Sequence, residues 1–167
     1  LAAGCQDGNF VGTYTNTTPD SDVLGDGSVL HTLVNQLTFH ADGTVNQYWT
    51  GYNDYFVNSG SGSPPIGSWK CQRNGQLVVT MLFAVYTHAF PPGNIQTPDI
   101  MLNSHFRTTY LFSVDDDNTV TRIQSRSRKY LPSQDPGDPN GGTLSPLNNT
   151  QSTYKRLRAS NADLIAP

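Results

Sequence analysis

Three short polar turns, each flanked by runs that alternate apolar and polar residues, constrain the fold most. Asp42-Gly43 lies within LVNQLTFHADGTVNQYW, Asn74-Gly75 within GSWKCQRNGQLVVTML, and Asp116-Asp117 within YLFSVDDDNTVTRIQSRS. Asp-Gly and Asn-Gly tolerate positive φ, so they suit the tight turn of a β-hairpin. Three antiparallel hairpins in one short polypeptide predict a β-meander that closes, or nearly closes, into a barrel.

The same alternation predicts eight strands, and long loops join them where tight turns do not. The predicted strands span residues 10–15, 32–41, 44–52, 66–72, 76–87, 105–115, 119–130 and 152–158. We expect an all-β fold, a single antiparallel up-and-down β-barrel of about eight strands, with one plain end and one elaborate end. One domain then covers residues 1–167, with tails at 1–9 and 159–167, and the best helical candidate is a turn around 22–33.

The charged residues have an unusual composition. All 13 acidic residues are Asp, none is Glu, and Lys occurs only at positions 70, 129 and 155. Glu and Lys favour helices, whereas Asp, Asn, Ser, Thr and Gly favour turns, so this usage fits a turn-rich β protein of the secreted kind. A net charge of −3 provides no global basic field for nucleic acid. No run approaches the length of an apolar membrane span, so no span is expected.

The two cysteines leave three alternatives open. Cys5 and Cys71 are compatible with one disulfide, and equally with two free thiols. LAAGC also resembles the end of a signal peptide that runs into a bacterial lipidation box, although the match is imperfect. Together with the residue usage, an export signal of this kind leads us to expect a secreted or extracytoplasmic location.

The strand predicted at 76–87 is apolar on both faces. Leu77, Val79, Met81, Phe83 and Val85 alternate with Val78, Leu82, Ala84 and Tyr86. A small barrel needs only one apolar face, so the outer face must be covered by a loop, a terminus or another subunit. Self-association is therefore expected.

Four short motifs follow one another in strand order: Gly12-Thr13-Tyr14, Asp42-Gly43, Gly67-Ser68-Trp69 and, on the last strand, Arg156. Together they resemble the lipocalin-like (calycin) small β-barrels, which show an opening Gly-x-Trp, a DGT hairpin, a G-x-W strand in the middle of the sequence and a closing Arg. In lipocalins the opening Trp stacks under that Arg. The resemblance implies that Tyr14 contacts Arg156 or Arg158 here, and that the interior holds a hydrophobic ligand.

Large side chains on adjacent or facing strands indicate where such a ligand would lie. We expect it to contact Trp49, Tyr52, Phe83 and Tyr110, between the third and sixth predicted strands. The competing interpretation is that the same four residues simply fill the barrel. Alternation alone decides whether Phe83 and Tyr110 point inward, so a bulge would reverse the prediction for either residue.

The strand predicted at 119–130 is rich in arginine. Arg122, Gln124, Arg126 and Arg128 share one face by strict alternation, and Ser125 and Ser127 share the other. We favour the arrangement with the arginines outside, because burying arginine without a partner is costly. An inward stripe would instead suit a carboxylate, enolate or phosphate.

Three classes of function remain open. The first is a secreted lipocalin-like barrel that binds a small hydrophobic or aromatic molecule. The second is a small-barrel cyclase or isomerase, with Tyr110, Arg107, Arg126 and Asp54 as catalytic candidates. The third is a structural subunit of an extracellular assembly or filament. No cofactor, metal site or nucleophile motif is predicted, and the four histidines are interpreted as surface or rim residues.

Overall fold

Eight strands form a closed antiparallel barrel, in sequence order, and three short strands pair with three of its strands. The computed structural model describes residues 4–17, 20–23, 29–52, 61–89 and 99–158. The eight barrel strands are β1 (Gly12–Asn16), β3 (Val29–Phe39), β4 (Thr44–Tyr52), β6 (Ile66–Cys71), β7 (Leu77–Ala89), β8 (Asp99–Asp116), β9 (Thr119–Tyr130) and β11 (Ser152–Arg156). The short strands are β2 (Asp20–Val23), β5 (Ser61–Gly62) and β10 (Thr143–Leu144).

The first strand closes the ring. Tyr14 on β1 pairs with Leu37 on β3 and with Arg156 on β11. Every other neighbour in the ring is also the next barrel strand in the sequence, so the barrel is up-and-down. The predicted architecture and all eight predicted strands are thus confirmed.

The tight turns all lie at one end of the barrel, which we call the tight-turn end. Gly43 and Gly75 close two of these turns with φ of 88° and 81°, and their amides donate to His40 O and Gln72 O. No other residue type in the described ranges has a positive φ. The first two turns lie where predicted, but Asp42 and Asn74 keep negative φ and leave the left-handed position to glycine. The third turn is one residue later than predicted, at Asp117-Asn118, because Asp116 still pairs with Thr119.

The opposite end carries the long connections, which include 131–151, and we call it the long-loop end. The predicted helical turn around 22–33 is wrong where the structure describes it, since Asp20–Val23 and Val29–Phe39 are strands that pair with each other. Antiparallel pairing overrides the weak local preference for a helix there.

The main apolar core lies at the tight-turn end, and the N-terminal segment packs across it. Residues 5–7 form a short 3-10 turn rather than a loose tail, whereas the tail predicted at 159–167 lies outside the described residues. Phe10 is completely buried, with ring centroids 4.8 Å from Trp69 and 5.6 Å from Phe39. These edge-on aromatic contacts seal that end of the barrel.

A disulfide attaches the N-terminal segment to the barrel. Cys5 bonds to Cys71 at the end of β6, with 5.6 Å between their Cα atoms. The Cys5 amide also donates to Gly75 O in the β6–β7 turn. Of the alternatives left by the sequence, the structure therefore has the paired one.

Candidate ligand-binding site

The barrel interior divides into two halves of different chemistry. The tight-turn half is filled by one apolar cluster that includes Phe10, Tyr14, Phe39, Phe112 and Tyr154, each at most 1 % exposed. Phe83, Val85 and Phe106 are also buried, but they lie outside that cluster, nearer the long-loop end. Polar side chains separate the two apolar parts.

These polar residues come from five strands, and we call them the polar belt. Their exposure is between 0 and 7 % in every case. The belt comprises Asn35 on β3, Gln47 on β4, Thr108 on β8, Arg122, Ser125 and Ser127 on β9, and Ser152 on β11. Arg122 is the one charged residue among the buried residues that the structure describes.

Hydrogen bonds organise the belt. Gln47 Nε2 donates to Asn35 Oδ1 at 2.7 Å, and Asn35 Nδ2 donates to Tyr154 Oη at 3.1 Å. On the other side of the barrel, Thr108 Oγ1 donates to Ser127 Oγ at 3.2 Å. Such pairing is what allows polar groups to stay inside the barrel.

Aromatic rings lie against the belt. Phe83 and Phe106 stack with their ring centroids 5.2 Å apart and an interplanar angle of 15°. The Lys129 ammonium lies 5.9 Å from the Phe106 centroid, and Arg122 Cζ lies 5.9 Å from the centroid of Tyr110. Rings and cations therefore meet at two places along the inner surface of the barrel.

A bulge in β9 explains why Arg122 points inward. Leu111 pairs with Gln124, but the next residue, Phe112, pairs with Arg122, so Ile123 is an extra residue. The extra residue breaks the strict alternation that placed Arg122 on one face with Arg126 and Arg128. That prediction is wrong for Arg122, whereas Ser125 and Ser127 point inward as favoured.

Residual exposure differs between the two halves. Phe83, Tyr110 and Gln47 keep 5–7 % of their surface exposed, although each is enclosed by the barrel wall. Phe10 and Tyr14, at the opposite end, keep none. Small residual exposure is thus found at and beside the polar belt among the described residues.

The structure brings together only some of the predicted site residues. Phe83 and Tyr110 both point into the barrel, as alternation predicts. Trp49 and Tyr52 lie on β4, where their backbones pair with Asn35 and His31, but their side chains are outside the described part of the structure.

The catalytic candidates do not converge. Arg107 lies between the buried residues Phe106 and Thr108, and therefore points outward. Arg126 is likewise outside, between the buried Ser125 and Ser127. Tyr110 lies inside, and Asp54 is outside the described residues. In the described structure, Tyr110 therefore shares the interior with Arg122 rather than with Arg107 or Arg126.

Phe106, Thr108 and Arg122 are among the lining residues that the sequence did not predict. Phe106 and Thr108 share the alternation of Tyr110, so their inward position could have been inferred from the same strand. The position of Arg122 had no such signal, because a bulge leaves no reliable mark in a single sequence.

The contact implied by the lipocalin resemblance is formed by Arg156. Its guanidinium Cζ lies 5.6 Å from the Tyr14 ring centroid, whereas Arg158 binds Asn118. Tyr14 Oη donates to Phe10 O at 2.7 Å. Burial raises the pKa of the Tyr14 phenol, and the nearby Arg156 charge opposes that shift.

Neither a metal cluster nor a membrane-spanning helix is found within the ranges that the structure describes. Those ranges contain no group of three His, Cys, Asp or Glu residues suited to hold a metal ion. They also contain no helix long and apolar enough to cross a bilayer.

No protein-family model, curated protein or solved structure matches this sequence.

Proposed function

We propose that this protein binds a small aromatic or hydrophobic molecule that carries a polar group, inside the long-loop half of the barrel. The observation that carries the proposal is the polar belt between two apolar parts of the interior. Burying polar groups costs free energy, and an apolar filling would stabilise the barrel more. A polar lining is therefore better accounted for by recognition of a ligand than by stability.

The lining residues suggest the chemistry of the ligand. Phe83, Phe106 and Tyr110 offer ring faces and edges to an apolar body. Arg122 and Lys129 contribute positive charge on the inner surface, so an acidic substituent is favoured over a basic one. The amide and hydroxyl groups of the belt suit further hydrogen bonds.

An extracytoplasmic, lipocalin-like carrier is the form of this function that we propose. The Cys5–Cys71 disulfide supports an oxidising compartment. The contact between Arg156 and Tyr14 supports the resemblance to lipocalin-like barrels.

A cyclase or isomerase is the second candidate. Tyr110 beside Arg122 would supply a phenol and a cation within one enclosed space, which suits a proton-transfer step on a bound substrate. Turnover of a bound molecule, rather than its unchanged release, would favour this alternative.

Titration with two fluorescent probes tests the binding proposal. Anilinonaphthalene sulfonate is anionic, and phenylnaphthylamine is a neutral compound of similar shape. We expect both to bind the folded protein with saturation at one site, the anionic probe more tightly. Lys129→Gln should weaken the affinity for the anionic probe by about three- to tenfold, as expected for one charge pair of about 1 kcal/mol. The affinity for the neutral probe should be unchanged.

Lys155→Gln provides the matched control, because Lys155 is exposed and its ammonium donates to Thr119 Oγ1 away from the belt. Equal effects of the two substitutions would place the probe outside the barrel. Absence of saturable binding by either probe would contradict the proposal.

A further inference from the structure

Four of the ten Lys and Arg residues lie together on the outer face of the barrel, on β6, β8 and β9. Arg107 pairs with Arg128 across β8 and β9, and Thr109 pairs with Arg126 one step further along. Lys70 lies on the same face of β6. We call Lys70, Arg107, Arg126 and Arg128 the outer cationic face.

The three arginines open onto one depression. It has a volume of about 330 Å³ and is lined by Arg107, Thr109, Arg126, Arg128, Pro139 and Leu144. Pro139 and Leu144 belong to the 131–151 connection, which therefore forms one wall of the depression. The site has a strand floor and a loop wall.

Backbone carbonyls of that loop fix the arginines in place. Arg107 Nη1 donates to Gly137 O at 3.3 Å, Arg126 Nε to Ser145 O at 3.0 Å, and Arg128 Nη1 to Gly141 O at 2.9 Å. A guanidinium has five N–H donors, so each keeps donors for a ligand after these bonds. The fork is oriented before any ligand arrives, which lowers the entropy cost of binding.

The hydrogen bonds of the three arginines go to backbone carbonyls rather than to carboxylates. The loop wall also carries Asp135 and Asp138, whose carboxylates accept hydrogen bonds from backbone amides of the loop itself. Like charges brought this close together repel each other. The protein as a whole has a net charge of −3, so this positively charged face is opposite in sign to the net charge of the molecule. An anionic partner would remove the repulsion.

The depression continues across the sheet. Arg107 also lines a second depression of about 270 Å³ with Ser68, Lys70 and Thr80, and a third of about 250 Å³ beside Pro136 and Gly137. From β6 to β9 the groove crosses three strand spacings, or roughly 14 Å. That length suits an extended ligand with several charges better than a single small anion.

We propose that this outer groove binds an acidic polysaccharide through its sulfate or carboxylate groups. The arginine forks match both groups, and the hydroxyls of Ser68, Thr80 and Thr109 suit hydrogen bonds to sugar hydroxyls. Trp69 is the one aromatic residue that lines these three depressions in the described structure. Its ring packs against Phe10, and its Nε1 donates a hydrogen bond to His40 O. The groove thus lacks the stacking platforms that single-stranded nucleic acid uses.

Calorimetric titration with a heparin octasaccharide and with oligogalacturonate tests the proposal and separates sulfate from carboxylate. We expect binding of at least one oligosaccharide that weakens as salt is raised. Arg107→Gln combined with Arg126→Gln should weaken it by about tenfold or more, the effect of two charge-assisted contacts. Leu144→Asp should also weaken it, because it puts a negative charge in the groove and leaves every arginine–loop bond intact.

Arg73→Gln with Arg158→Gln is the matched control, since it removes the same charge from exposed positions at the tight-turn end. Melting curves identify any variant that fails to fold. If the double arginine variant does not fold, Leu144→Asp alone is compared with the control pair. Equal losses in the control pair, absence of binding at low salt, or tighter binding of single-stranded oligothymidylate would each overturn the proposal. The groove is outside the barrel, so the result is independent of ligand binding in the interior.

Discussion

Two single residues, Gly12 and Gly67, lie close to neighbouring groups, Gly67 against backbone and Gly12 against the Arg156 side chain. A Cβ at Gly67 would lie 1.9 Å from Thr80 O on the neighbouring strand. Gly12 has φ of 152°, and a Cβ there would lie 2.9 Å from Nε of Arg156. Both belong to the motifs that resemble lipocalin-like barrels. Here each glycine lets a neighbouring group come closer to the backbone than a side chain would allow.

Gly67→Ala should therefore destabilise the barrel strongly. The clash is with backbone, which cannot rotate away, so we expect a loss of about 3 kcal/mol or more in the free energy of unfolding. Gly8→Ala is the control, because Gly8 has φ of 74° but open space around it, and should lose about 1 kcal/mol. Chemical denaturation measures both, and similar losses would contradict the close approach.

Tyr14→Phe should cost about 1 kcal/mol near neutral pH, because it removes the buried hydrogen bond to Phe10 O. Burial raises the pKa of Tyr14 in the folded state above its ordinary value of 10.0. The stabilisation by the neutral phenol is then fully present below that value and is lost as pH rises through the folded pKa. The difference between wild type and variant, measured by denaturation across this range, should shrink. A constant difference would contradict the assignment.

Alternation predicted the inward residues of the site only where the strands are regular. It correctly placed Phe83 and Tyr110 inside, because no extra residue interrupts the alternation of β7 or β8 beside these two positions. It failed at Arg122, where one extra residue in β9 reverses the face. The candidate site was therefore predictable in its aromatic residues and unpredictable in its cation.

Among the secondary-structure elements, all eight barrel strands were predictable, because turn and alternation signals agreed along each one. The three short strands were missed. Ser61–Gly62 and Thr143–Leu144 exist only by pairing with β7 and β9. Two residues carry no periodicity, so these elements follow from the assembled sheet rather than from their own sequence.

The N-terminal segment is an element that the disulfide holds in place. Cys5 and Cys71 are 66 residues apart, and a cross-link over such a loop stabilises by about 4 kcal/mol when the entropy of the unfolded state is considered. The Cys5→Ser, Cys71→Ser variant should therefore unfold at lower denaturant concentration, by about that free energy. Reduction should have the same effect on wild type and none on the variant. Equal stability of the two proteins would show that the bond does not form in solution.

The molecule as a whole is a closed barrel whose interior has a polar belt between two apolar parts. Closure leaves the ring strands without an unpaired edge, so the fold does not need a partner to complete the sheet. Self-association and a role in an extracellular assembly stay predictions. Light scattering of the purified protein would decide between a monomer and a larger species.

Filling the long-loop half of the interior is the decisive experiment on whether it accommodates a ligand. Thr108 points inward and is 3 % exposed, whereas its neighbour Thr109 is exposed on the outer face. Thr108→Leu should abolish binding of the two fluorescent probes while the melting temperature is kept or raised, and Thr109→Leu should leave probe binding unchanged. An interior that is already full would instead make Thr108→Leu lose about 1–3 kcal/mol through overpacking, with no probe binding in the wild type, and would contradict ligand binding there.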